Sequence, residues 1–134
     1  MTQSYRGSPR IVLVAETDTA TRVTHRQALA GADYLVFAAD DGADALSKVA
    51  EFMPDLIVLD VELAHPSGAH VYRELLSGPA TRTIPVVLLI SDLRDTKPTG
   101  EGYFLEKPVP PDVLVAMVRR AMRRSRLRTI SRVH

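Results

Sequence analysis

The sequence predicts an open α/β domain, a doubly wound five-stranded parallel sheet with helices on both faces. The first observation behind this is the run Leu56-Ile57-Val58-Leu59, preceded by Pro54-Asp55 and stopped by Asp60. Four apolar residues in a row, two of them β-branched, suit a strand buried on both faces of a parallel sheet. The second is that similar short runs recur along the chain and alternate with stretches of helical spacing, a rhythm that implies right-handed crossovers. The third is length: 134 residues are enough for one core and do not call for two.

In order, Ile11 to Ala15 forms the first strand after Pro9. Asp18 caps a helix over Thr19 to Ala30, with Ala20, Val23, Gln27 and Ala30 expected on its inward stripe. Tyr34 to Ala38 is the second strand. Asp41-Gly42 opens a helix carrying Leu46, Val49, Ala50 and Met53, which Pro54 ends. After the third strand, Ala64 to Gly68 is loop chemistry, and Ala69 to Leu76 is a short helix turning Val71, Tyr72 and Leu75 inward before Gly78-Pro79. Pro85 to Ile90 and Tyr103 to Leu105 are the fourth and fifth strands. Pro111 starts the last helix, whose expected buried face is Val113, Leu114, Met117, Val118 and Ala121.

One connection breaks the rhythm. Between Ser91 and Gly102 a crossover helix is expected, yet the segment has a proline, a glycine and little apolar content. It is long enough to cross between parallel strands but poor at being a helix. A turn, or at most one helical turn, is predicted there, so the fourth crossover helix is short or absent.

Composition narrows the function classes. With no cysteine, disulfide frameworks and thiolate metal sites are excluded. No stretch approaches the roughly 18 apolar residues of a membrane span, and Met1 to Arg10 lacks the apolar core of a signal peptide. A cytoplasmic protein without membrane partners is expected. The net charge of +1 conceals an asymmetry: all sixteen acids precede Val118, while seven arginines follow it. Residues 1–9 are expected to be a disordered lead, 10–124 the folded domain and 125–134 a basic tail. The tail reads as a solvated helix end whose cations favour the macrodipole, or as a contact for an acidic surface. Nucleic acid is not favoured as that surface, because no aromatic interleaving or recognition motif accompanies the charge.

Chemistry is expected at the carboxyl edge of the sheet. Asp60 closes its strand where open α/β sheets carry ligands, and Lys107, after Tyr103 to Leu105, brings an ammonium to the same rim. A phosphate or metal site follows from that pair. The four histidines, 25, 65, 70 and 134, show no metal-ligand spacing, and His25 and His70 read as helix-surface residues.

Taken together, these stretches resemble the receiver domain of bacterial response regulators. The resemblance is carried by Ile11-Val12-Leu13-Val14-Ala15 ahead of an acidic turn, Asp41-Gly42-Ala43-Asp44-Ala45-Leu46, Pro54 to Asp60 with Gly68 eight residues on, Ile84-Pro85-Val86-Val87, and Glu106-Lys107-Pro108-Val109. It covers about Arg10 to Arg124 and implies a flavodoxin-like (βα)5 fold. It also implies that a sensor histidine kinase or phosphotransfer protein donates a phosphoryl group to Asp60. Lys107 would then pair with the phosphoryl oxygens. Glu16, Asp60 and the backbone carbonyl of Glu62 would hold Mg²⁺, and Phe104 would occupy the position of the switch aromatic.

Three positions depart from the pattern. Glu16-Thr17 stands where the family has two adjacent acids, so one carboxylate is longer and the other is replaced by a hydroxyl; Mg²⁺ is expected to bind weakly or not at all, with Asp18 able to help through water. Ile90 replaces a serine or threonine and offers no donor. Ser91 is a rescue donor only if the strand bulges, since alternation turns it to the other face. The third departure is the degraded fourth crossover, which belongs to a surface many receivers use for partners. The expected function is an atypical phosphorelay receiver, not an enzyme, acting through contacts with an unknown output protein or as a homodimer. The alternatives are a phosphorylation-independent interaction module and, last, an aspartate-nucleophile phosphatase. The last is disfavoured because alternation turns the Glu62 side chain away from Asp60.

Overall fold

The computed structural model describes residues 8–92, 94 and 102–133, with side chains of the last helix described through residue 125. Five strands, β1 (Ile11–Ala15), β2 (Leu35–Ala39), β3 (Leu56–Asp60), β4 (Val86–Ile90) and β5 (Tyr103–Glu106), form one sheet. All neighbours are parallel, and the order is β2-β1-β3-β4-β5. Helices α1 (Thr19–Gly31), α2 (Gly42–Phe52), α3 (Gly68–Ser77) and α4 (Pro111–Val133) complete the described elements. Among the described residues no helix lies between Ile90 and Tyr103, in line with the expected short or absent crossover. Most of that segment, and residues 1–7 of the expected disordered lead, lie outside the described residues.

Apart from the acids that end β3 and β5, the strands are apolar, yet the period of two still sorts their side chains into two cores. Val12 and Val14, Leu56 and Val58, and Val87 and Leu89 face α1 and α4, where they meet Leu29, Leu114, Val118 and Met122. Leu13 and Ala15, Ile57 and Leu59, and Leu88 and Ile90 face α2 and α3, where they meet Ala45, Val49, Val71 and Leu75. With both faces covered, β3 is fully buried from end to end. The sheet thereby delivers Asp60 to its carboxyl edge inside a closed core.

Local chemistry sets the helix starts. The side chains of Asp18, Asp41 and Ser67 accept the backbone N–H groups of Thr21, Asp44 and His70, at 2.8, 2.7 and 3.1 Å, satisfying donors that a helix start leaves open. α2 ends on Met53 in the left-handed region, φ 45°. β2 begins one residue later than expected. Tyr34 N–H still closes onto the Leu29 carbonyl at the end of α1, whereas Leu35 N–H is the first to bond across the sheet, to Arg10.

The inward face of α1 differs from the expected stripe. Ala20, Val23, Gln27 and Ala30 are exposed, and the buried residues are His25 and Leu29. Leu29 is the bulkiest apolar side chain on this helix, and its i−4 neighbour follows it into the core. His25 is therefore a core residue at 2% exposure, not a surface one. On α4 Val113 is exposed and Met122 takes its place, because Leu114, Val118, Ala121 and Met122 share one stripe at i, i+4, i+7 and i+8. Ala50 and Met53 of α2 are exposed as well.

Candidate functional site

The site is assembled at the carboxyl edge from β1, β3, β4 and β5. The residues just after β1, β3 and β5 each make a bond that keeps the edge in register: Glu16 N–H to Ala39, Val61 N–H to Leu89 at 3.1 Å, and Lys107 N–H to Ile90 at 2.8 Å. Gly68, at the start of α3, lets the turn after β3 fold back tightly. A Cβ there would lie 2.1 Å from the Asp60 carbonyl oxygen and 2.7 Å from that of Val61, so no larger residue fits this path.

Asp60 is 1% exposed. Its Oδ1 accepts the Glu62 backbone N–H at 2.9 Å and the Lys107 ammonium at 2.7 Å. A buried carboxylate needs such partners, and here a cation and a backbone donor supply them. Burial works against the Lys107 charge, but its bonds to Asp60 and Glu62 prevail and raise its pKa above the usual lysine range.

Glu16 faces Asp60 from the end of β1. One of its oxygens accepts the Asp18 N–H at 3.0 Å; the other, Oε1, is buried without a hydrogen-bond partner. Burial raises the Glu16 carboxyl to about 7, with the neighbouring Asp60 carboxylate adding to the rise against the Asp18 N–H and Lys107. Removing a carboxyl from water disfavours its charged form, and a second carboxylate beside it acts in the same direction. Thr17 is exposed. Asp18 is committed to its helix, accepting both the N–H and the hydroxyl of Thr21, which lower its pKa.

Two expectations about side-chain direction are corrected. Glu62 does not turn away: its Oε1 accepts Lys107 Nζ at 3.1 Å and Ser91 Oγ at 2.8 Å. Ser91 likewise reaches the rim without any bulge. In both cases the reason is that the strand has ended, β3 at Asp60 and β4 at Ile90, and alternation governs side chains only while the pleat continues. The Ser91 and Lys107 bonds hold the Glu62 carboxyl below its ordinary range. Ile90 is 1% exposed and belongs to the apolar core under α2 and α3. Phe104, half-buried, packs on the same core.

A cleft of about 420 Å³ opens beside this cluster, with Glu16, Thr21, His25, Ser91 and Lys107 in its walls. His25 is the residue that sequence reasoning missed. Its Nε2 donates to the Val109 carbonyl at 3.1 Å, tying α1 to the segment that carries Lys107. Its spacing of four from Leu29 was the available signal. Among the described residues no cluster of three or more histidine, cysteine or acidic side chains is arranged as a metal cage, and no helix is long and apolar enough to cross a membrane.

Comparison with known proteins gives a consistent result. Residues 12–119 match the family model described as the response regulator receiver domain. The chain is 36% identical over 117 residues to the response regulator PleD of Caulobacter vibrioides, covering 84% of this chain and 26% of that protein. It is 32% identical over 121 residues to the response regulator MprA of Mycobacterium ulcerans, covering 87% of this chain and 51% of that one. It therefore spans about half or less of the length of these relatives. Among solved structures, the signal receiver domain of a signal transduction histidine kinase from Syntrophus aciditrophicus superposes with a TM-score of 0.76 at 30% identity, over 84% of this chain and 89% of that one.

Proposed function

Because this chain belongs to the response regulator receiver family of two-component phosphorelay signalling, we propose that Asp60 is its phosphoacceptor and that the chain acts as an atypical receiver. The observation that carries this reading is the buried Asp60 carboxylate at the end of β3 with the Lys107 ammonium 2.7 Å away. In the proposed step a carboxylate oxygen of Asp60 attacks the phosphorus of a phosphohistidine donor, the P–N bond breaks, and an acyl phosphate forms on Asp60. Such transfer is catalysed chiefly by positioning and charge neutralisation, and Lys107 supplies part of the second. The donor would be a sensor histidine kinase or phosphotransfer protein.

The donor set fits a hard divalent cation. Glu16 and Asp60 offer adjacent carboxyls, Glu16 has a buried oxygen without a partner, and the Glu62 carbonyl is nearby in sequence. Mg²⁺ commonly takes one or two carboxylates plus waters. When bound it would neutralise charge on the transferring group. Affinity is reduced in this reading for two reasons: Thr17 replaces a carboxylate, and Glu16 must first give up the proton that burial favours. Ser91, whose hydroxyl reaches the rim, is the donor nearest in the chain to the missing hydroxyl of position 90.

A second reading has its own support. Ile90 fills with hydrocarbon the place of a coupling hydroxyl and is packed in the core near Phe104, which favours an interaction module that does not switch on phosphorylation. A phosphatase is not favoured, although Glu62 does face the rim, because the Ser91 and Lys107 bonds keep it ionised and unable to act as a general acid. Output is proposed to run through protein contacts, with the basic end of α4 as one candidate surface. Deleting Arg123 to His134 should then abolish partner capture while the fold is retained; unaltered capture removes that surface from consideration.

The test of the main reading is Mg²⁺ and beryllofluoride titration followed by amide NMR, on the native chain and on Asp60→Ala. Saturable binding that requires Asp60 and moves Phe104 and β5 supports a working receiver. Binding of neither ion nor mimic would leave the interaction module as the better account.

A further inference from the structure

Glu62 carries a charge that the reading above leaves unused. Its side chain is 60% exposed, yet its Oε1 is the shared acceptor of two donors from different strand ends, Ser91 Oγ at 2.8 Å and Lys107 Nζ at 3.1 Å. Those are the two side-chain donors that a phosphoryl group on Asp60 would call upon. Lys107 already bonds Asp60, and Ser91 carries the hydroxyl next to the donorless Ile90. A carboxylate and a phosphoryl group are oxyanions that compete for the same charge-assisted hydrogen bonds.

Resting on the phosphoacceptor reading, we propose that the Glu62 carboxylate is an internal stand-in for the phosphoryl group, holding Ser91 and Lys107 in the unmodified chain until phosphorylation displaces it. It lowers the affinity for an incoming oxyanion in two ways: it occupies the donors, and it adds a negative charge at the mouth of the site. Exposure gives it a way out, since the carboxylate swings into water without opening the core. Its departure also cuts the link between the turn after β3 and the end of β4. Occupancy of Asp60 is thereby coupled to Ser91 at the end of β4 without a hydroxyl at position 90.

The test is beryllofluoride affinity at saturating Mg²⁺ for the native chain, Glu62→Gln, Glu62→Ala, Ser91→Ala, and Glu62→Gln combined with Ser91→Ala, with amide spectra to verify that each is folded. Both single Glu62 variants should bind on the order of tenfold more tightly, the scale of one charged hydrogen bond released for the ligand. Ser91→Ala should take back most of that gain in the Glu62→Gln chain yet cost little when made alone in the native chain, where Glu62 already holds the hydroxyl; an equal cost in both backgrounds is what a general electrostatic effect of Glu62 predicts and overturns the stand-in role. Native binding that depends on Asp60, with no gain in either Glu62 variant, overturns the stand-in role and leaves the phosphoacceptor reading intact. Absence of binding in every chain overturns both.

Discussion

Glu16 shows how one side chain sets a pH dependence. Its folded pKa, raised from 4.5 to about 7, lies above the unfolded value, so its contribution to stability is complete below about 4.5 and is lost as pH rises toward 7. Glu16→Gln keeps the shape and removes the ionisation. In the absence of Mg²⁺ it should be more stable than the native chain at pH 8, by at most about 3.5 kcal/mol given roughly 1.4 kcal/mol per unit, and nearly equal to it at pH 4. Urea denaturation at the two pH values checks this, and a variant less stable at pH 8 would contradict the assigned burial. His25 is the second such residue. Replacing it with Ala removes a core side chain and orphans the Val109 carbonyl, which predicts a loss of about 2–4 kcal/mol. The same change at exposed His70 should stay within about 0.5 kcal/mol.

Among the elements, the turn from β3 into α3 is the most constrained by its sequence. Gly68 approaches the Asp60 and Val61 backbone so closely that a Cβ requires the turn to move. Gly68→Ala should therefore destabilise the fold by at least about 1–3 kcal/mol, the cost typical of overpacking. It should also shift the amide resonances of residues 60–63 more than those of β2. A neutral substitution measured by thermal melting would show that this turn has slack. α1 teaches a complementary point. Its thin apolar pattern offered several faces, and the sheet selected the one bearing Leu29 and His25.

For the molecule as a whole, the sheet is shared by two cores. Ile57 and Val58 are neighbours in β3 but face α2/α3 and α1/α4 respectively. Ile57→Ala and Val58→Ala should each cost about 2–4 kcal/mol and lower one common unfolding transition, since neither layer has a sheet of its own. Two separated transitions by far-UV circular dichroism and tyrosine fluorescence would contradict that coupling.

The sequence by itself determined the strands, the caps at Asp18 and Asp41, and the positions of Asp60 and Lys107. These follow from unbroken apolar runs, capping chemistry and the rule that parallel strands end at a common ligand edge. Only the tertiary structure decided what lies beyond a strand's last residue or on an ambiguous helix face. Glu62 and Ser91 turn to the rim because the pleat stops at Asp60 and Ile90, and His25 enters the core because Leu29 does. Periodicity holds only within an element, so the residues just past its end take their direction from neighbours distant in sequence.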